Sequence, residues 1–252
     1  MPAAAPPKFE LKLNPALDPE RYRRLYAQHK IVQIEDVLDP DTAETLHQVL
    51  ERATPWRLVF SDETGRTIQL TPPDIQAMGQ AAFQRTMQGI LERASRNIGY
   101  AYHAYPMIEA YMTGQDPGHP LHLVSEFINS PEFRAFGAHV IGIPVVTKVD
   151  AQATLYAPGD FLTRHVDDGA ERERRAAYTL GVSKGWEPDW GGLLMFLDNK
   201  RDISSAYLPR FNVLTLFDGL RIHTVSQVTN FARAGRYSIT GWLRDDPPSG
   251  RG

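Results

Sequence analysis

The run Tyr156-Ala157-Pro158-Gly159-Asp160-Phe161-Leu162-Thr163-Arg164-His165-Val166-Asp167 decides how this chain is read, because a turn leads there into an apolar strand that ends on two side chains able to bind metal. In extended chain, residues i and i+2 project to the same side, so His165 and Asp167 are expected to face one cavity while Val166 packs on the other face. Asp168 follows with the opposite orientation and reads as a turn or capping residue.

Around this run the chain consists of short β-forming segments separated by Gly, Asp, Asn and Pro. They predict strands over Val145–Ala157, Ala177–Val182, Gly192–Leu197, Asn212–Phe217, His223–Val228 and Arg236–Leu243. Upstream the signals are mostly helical. Asp18-Pro19 and Asp39-Pro40 are N-caps followed by proline at the first helical position, opening helices to about Gln28 and Ala53. Ile31–Ile34 reads as a strand, Trp56–Phe60 with Thr67–Leu70 as a hairpin, Pro72–Ile98 as one long helical stretch and Leu121–Phe136 as further helix. The expected class is α+β: a double-stranded β-helix, or jelly roll, with an N-terminal helical region packed on it. The expected divisions are an extended or disordered tail over 1–17, a helical region with a hairpin over 18–143 and a catalytic core over 144–246, in a single domain overall.

Composition narrows the chemistry. The chain has 252 residues, 42% of them apolar, which is enough for a substantial interior. A net charge of −3 offers no large basic surface, so neither nucleic acid nor an anionic membrane is an expected partner. The absence of cysteine excludes disulfides and thiolate ligands, leaving His, Asp and Glu to hold any metal. No secretory leader and no run of about 18 apolar residues is visible, so a cytoplasmic location is expected. Oligomeric state is not legible.

His223, in Leu220-Arg-Ile-His-Thr-Val, lies far downstream at a strand start, where a jelly roll can bring it to the rim that carries His165 and Asp167. Two imidazoles and one carboxylate on one side of a cation leave its other positions open, as in non-haem Fe(II) oxygenases. The ligand set alone would also admit Zn, Mn, Co or Ni.

The run from Tyr156 to Asp167, the segment Trp190-Gly-Gly-Leu-Leu-Met-Phe196, and His223 followed by Arg236-Tyr-Ser-Ile-Thr-Gly-Trp242 together resemble the prolyl 4-hydroxylase branch of the Fe(II)/2-oxoglutarate dioxygenases over about the last hundred residues. That resemblance implies Fe(II) held by His165, Asp167 and His223, with 2-oxoglutarate as cosubstrate, O₂ as oxidant and ascorbate as a possible reductant. It makes Arg236 the anchor of the far carboxylate, a role suited to a guanidinium's bidentate hydrogen bonding; Arg233 competes but lacks the strand position. Tyr156 and Thr240 match cosubstrate-pocket positions, Trp242 a position lining the substrate side, and Tyr178 is the candidate for a second tyrosine beside the anchor. The implied reaction hydroxylates a C–H bond, foremost of a prolyl residue in a peptide or protein, with succinate and CO₂ as coproducts. An intact Asp167 favours hydroxylation over halogenation. The alternatives are hydroxylation of a free amino acid or small metabolite, or a non-oxidative metal-binding cupin-like protein.

Other features take plainer readings. His103, His119 and His122 have no companion carboxylate at ligand spacing, and Tyr100, Tyr102, Tyr105 and Tyr111 are assigned foremost to core packing, with the lining of a groove as the alternative. Trp186 and Trp190 with Gly191 and Gly192 shape a turn that covers the barrel. Glu171–Arg175 reads as a solvated loop, with a substrate-facing loop as the alternative.

Overall fold

The structure is a computed structural model that describes residues 11–96, 99–167 and 173–247. The proline-rich start of the tail, Asp168, and Glu171 and Arg172 of the charge run lie outside the described residues. Leu11, Leu13 and Leu17 pack against the core, and Leu13 forms a bridge with Leu38.

The first half contains α1 (Pro19–His29), β1 (Ile31–Glu35), α2 (Pro40–Arg52), β2 (Arg57–Ser61), β3 (Thr67–Leu70), α3 (Pro72–Met78), α4 (Gln80–Ala94), β4 (Tyr100–Tyr105), α5 (Met107–Thr113), α6 (Leu121–Ile128) and α7 (Pro131–Ile141). Both aspartate caps form: Asp18 accepts from Arg21 N at 3.1 Å, and Asp39 from Asp41 N at 3.1 Å. The stretch expected as one helix over 72–98 is instead two. Gly79 divides them, because its φ of 77° and ψ of 156° lie outside helical space in a region reserved for glycine.

The second half contributes β5 (Lys148–Val149), β6 (Gln152–Tyr156), β7 (Phe161–His165), β8 (Arg174–Gly181), β9 (Leu194–Leu197), β10 (Ile203–Tyr207), β11 (Val213–Phe217), β12 (His223–Val225) and β13 (Arg236–Arg244). Here β10 was not anticipated, nor was β4 in the first half. The strands pair in the order β1-β11-β8-β13-β6-β4-β7-β12-β9-β10, with β2, β3 and β5 attached at the sides. Every pairing is antiparallel, and the sheet draws β1 and β4 from the first half into its middle and edge.

This sheet curls until its two arms face each other, so that Leu194 and Phe196 from one arm pack with Ala177, Phe217 and Ile31 from the other. Outside the larger arm, Leu46 and Leu50 of α2, Met107 of α5, Leu121, Val124 and Ile128 of α6 and Phe133 of α7 cover Tyr178, Leu180, Leu214, Leu216, Ile239 and Leu243. Each such side chain contributes roughly 1.5–3 kcal/mol by leaving water, so this layer anchors the sheet. Strand β11, covered on both faces, is buried at all five positions, as its sequence Val-Leu-Thr-Leu-Phe requires. No described helix is long and apolar enough to cross a membrane. The architecture is the expected jelly roll with helices on its outer face.

Candidate active site

The curl leaves a cavity of about 270 Å³ between the arms. His223 stands opposite His165 in the β12–β7 pairing. Two steps later Val225 pairs with Leu162, so β7 carries one extra residue between these pairs, a bulge. The bulge lets both Leu162 and His165 line the cavity, which strict alternation would forbid. Asp167 lies just beyond the strand, held by its N–H donating to Gly219 O at 2.8 Å. Val166 is 44% exposed rather than packed on an opposite face, because the chain has left the sheet there.

Among the described residues, His165, Asp167 and His223 form the one cluster of metal-competent side chains, with ligand atoms within 4.8 Å of one another. His165 Nε2 is 3.5 Å from Asp167 Oδ1, and His223 Nε2 is 3.4 Å from Asp167 Oδ2. Each imidazole's Nδ1 bonds a backbone carbonyl, Thr163 O at 3.0 Å for His165 and Arg221 O at 2.8 Å for His223. Those bonds require Nδ1–H tautomers, so both Nε2 lone pairs point toward the carboxylate. Three electron-pair donors then face one another, an arrangement that calls for a cation.

Along β13, Arg236, Thr240 and Trp242 line the cavity, whereas Tyr237, Ile239 and Leu243 face the helical layer. Arg236 is 3% exposed, its guanidinium is 4.9 Å from the Tyr156 ring and its Nε has no hydrogen-bond partner. No carboxylate of the described residues pairs with it. Burial lowers its pKa, with the nearby Tyr156 phenol opposing that shift. A buried cation without an anion suits a ligand that brings a carboxylate. Arg233, by contrast, is exposed and does not line the cavity. Gly192 leaves room for the anchor, since a Cβ there would stand 3.1 Å from both Arg236 Cδ and Trp186 Cζ2.

Tyr156 lines the cavity and stacks on Tyr102 at 5.1 Å, and burial pushes its phenol pKa up. Tyr100 and Tyr102, assigned from sequence to core packing, also line the cavity, because β4 enters the sheet beside β6 and β7. Tyr178 is also among the residues lining the cavity, but its hydroxyl is taken up by the backbone. Its phenol donates to Asp150 O at 3.0 Å within the helix-facing core, and its neighbour Thr179 turns inward. His103 does have a carboxylate, Asp160 Oδ2 at 2.9 Å, supplied by the turn after β6. The described end of the charge run is strand rather than loop: Arg175 pairs with Asp245, and Arg174 stacks on Trp242 at 3.8 Å.

Residues 151–244 match the family model described as the 2OG-Fe(II) oxygenase superfamily. The match spans β6 to β13 and so includes His165, Asp167, His223 and Arg236, and it makes this part of the chain similar to the oxygenases of that superfamily. The matched model describes oxygenases that use Fe(II) and 2-oxoglutarate, and the His165-Asp167-His223 cluster fits a divalent metal. Among solved structures, a Pseudomonas putida prolyl-4-hydroxylase is 18% identical with a TM-score of 0.56, covering 91% of this chain and 100% of that one. A 2OG-Fe(II) oxygenase-family oxidoreductase from Burkholderia pseudomallei is 11% identical with a TM-score of 0.59, covering 95% and 96%. A Trichoplax adhaerens prolyl hydroxylase, solved with a hypoxia inducible factor oxygen degradation domain peptide fragment, is 17% identical with a TM-score of 0.52, covering 90% and 91%. At these identities the likeness is one of fold. No curated protein sequence matches the chain.

Proposed function

We propose that this dioxygenase hydroxylates a prolyl residue of a peptide or protein and releases succinate and CO₂, with His165, Asp167 and His223 holding the iron and Arg236 anchoring 2-oxoglutarate. The observation that carries this reading is the presence, in one cavity, of three converging lone-pair donors and a buried guanidinium that has no carboxylate partner among the described residues. Fe(II) when bound supplies the activation of O₂, at the expense of the cosubstrate.

The residues of the chain supply position. Thr163 O and Arg221 O fix the two imidazole tautomers, so the metal meets lone pairs rather than N–H groups. Arg236 orients the far end of the cosubstrate, while the Tyr156 and Tyr102 rings, Leu162, Val225 and Phe217 wall the cavity against water. Trp242 borders the cavity with Arg174 flat against its ring, on the side assigned to substrate. The prolyl assignment is supported by the two prolyl hydroxylases of like fold, one of them in complex with a peptide. A catalytic core over 144–246 served by the region 18–143, ascorbate as reductant and a cytoplasmic setting belong to the same proposal.

His165→Ala and Asp167→Ala should each abolish both Mn(II) binding, read by calorimetry, and substrate-dependent succinate formation. Full activity in either variant would remove the ligand assignment.

A further inference from the structure

Past Trp242 lies a second chamber, of about 230 Å³, that adjoins the metal cavity, since Gln152, Thr240 and Trp242 line both. Two local features build its other walls. Strand β4 runs through Pro106 into α5, whose first turn carries Ile108 and Glu109. The Ile108 N–H donates to Ala151 O at 3.4 Å, which holds that turn against the corner between β5 and β6, and the corner presents Asp150.

The chamber is therefore apolar along Pro106, Ile108 and Trp242 and acidic at Glu109 and Asp150, and no cationic side chain of the described residues lines it. Asp150 is matched by Arg244 at 2.9 Å, whereas Glu109 is exposed and forms no ion pair among the described residues. A carboxylate in the first turn of a helix is favourable in itself, which explains Glu109 as part of α5 but not its place beside a chamber next to the metal cavity. Trp242 Nε1 is buried without a hydrogen-bond partner, so the wall between the two chambers also holds a donor that the protein leaves unused. Arg174 stacks on the ring of Trp242 but does not line the chamber.

We propose that this chamber receives a lysine or arginine side chain of the peptide substrate, close in sequence to the residue oxidised in the metal cavity, and that Glu109 sets the preference. This rests on the peptide-hydroxylase reading and adds to it a class of substrate. Shape and charge both match: the methylene stem of such a side chain lies along Ile108 and Trp242 while its cationic end meets the carboxylates. A neutral side chain leaves Glu109 unpaired, and an acidic one is repelled.

The test is peptide-dependent succinate formation by the full chain with Fe(II), 2-oxoglutarate and O₂. The probes are short blocked alanine peptides with a central proline, in which one lysine, norleucine or glutamate is moved through the other positions. At one position lysine should lower KM about fivefold relative to norleucine, and the advantage should shrink at high salt. Glu109→Gln should bring that ratio to about one, and Glu109→Lys should make glutamate the preferred residue. Peptide binding to the chain loaded with Mn(II) and 2-oxoglutarate, read by fluorescence anisotropy, should follow the same order. The inference alone is overturned if peptides are hydroxylated but no position separates lysine from norleucine, or if Glu109→Gln keeps the wild-type ratio. If wild type forms succinate with none of the peptides, the prolyl reading falls and this inference falls with it.

Discussion

Arg236 is a charged group at 3% exposure that leans on an aromatic ring and has no anion among the described residues. In the absence of cosubstrate this costs stability, because desolvation of the guanidinium is not offset by an ion pair. Arg236→Met should therefore leave the ligand-free protein as stable as wild type or about 1 kcal/mol more stable, while weakening 2-oxoglutarate by about a hundredfold. Urea midpoints read the first effect and calorimetry the second; a clear loss of stability would mean that Arg236 has a structural partner. At this scale the sequence was informative wherever chemistry and strand position agreed. His165, Asp167, His223, Arg236, Tyr156, Thr240 and Trp242 all reach the one cavity. Tyr178 lines that cavity as well, with its phenol donating to Asp150 O at 3.0 Å, a bond that depends on the facing of β8 and is not legible in the sequence.

Individual elements owe their placement to a few local features. The bulge in β7 turns His165 inward, and Gly241 lets β13 pass the corner before β6. A Cβ at Gly241 would fall 1.9 Å from Asp150 O, a backbone atom that already accepts the Tyr178 phenol. Gly241→Ala should therefore displace β13 and cost more than about 4 kcal/mol in urea unfolding, with 2-oxoglutarate affinity falling too, because Thr240 and Trp242 flank the shifted residue. A loss below about 1 kcal/mol would show that the corner can yield. The aspartate caps were legible because Asp-Pro determines a helix start almost alone. Strand β4, Tyr-Ala-Tyr-His-Ala-Tyr, was not, since alternating rings look like packing until partners on β2, β6 and β7 are known. Strand β10, Ile-Ser-Ser-Ala-Tyr, is an edge strand that is mostly solvent-facing and so lacks the apolar pattern that identifies a strand. In 72–98 helical periodicity ran through Gly79 because the residues on both sides are good helix formers, and only the backbone angles show the break.

Taken whole, the molecule is held by a sheet whose neighbours are distant in the chain: β1 pairs with β11, and β4 lies between β6 and β7. Residues 144–247 expressed alone would bare the edges of β11, β6 and β7 and lose the helices that cover Leu180, Leu214 and Ile239. That fragment should remain aggregated or lack a cooperative thermal transition by circular dichroism; a sharp transition would show that the first half is dispensable for folding. The same pairing order bears on how the protein is made. As the chain leaves the ribosome, Ile31–Glu35 has to wait until Val213–Phe217 has been synthesised before it gains a partner, so the emerging first half spends most of translation with a bare apolar edge and depends on chaperones or rapid completion to avoid self-association.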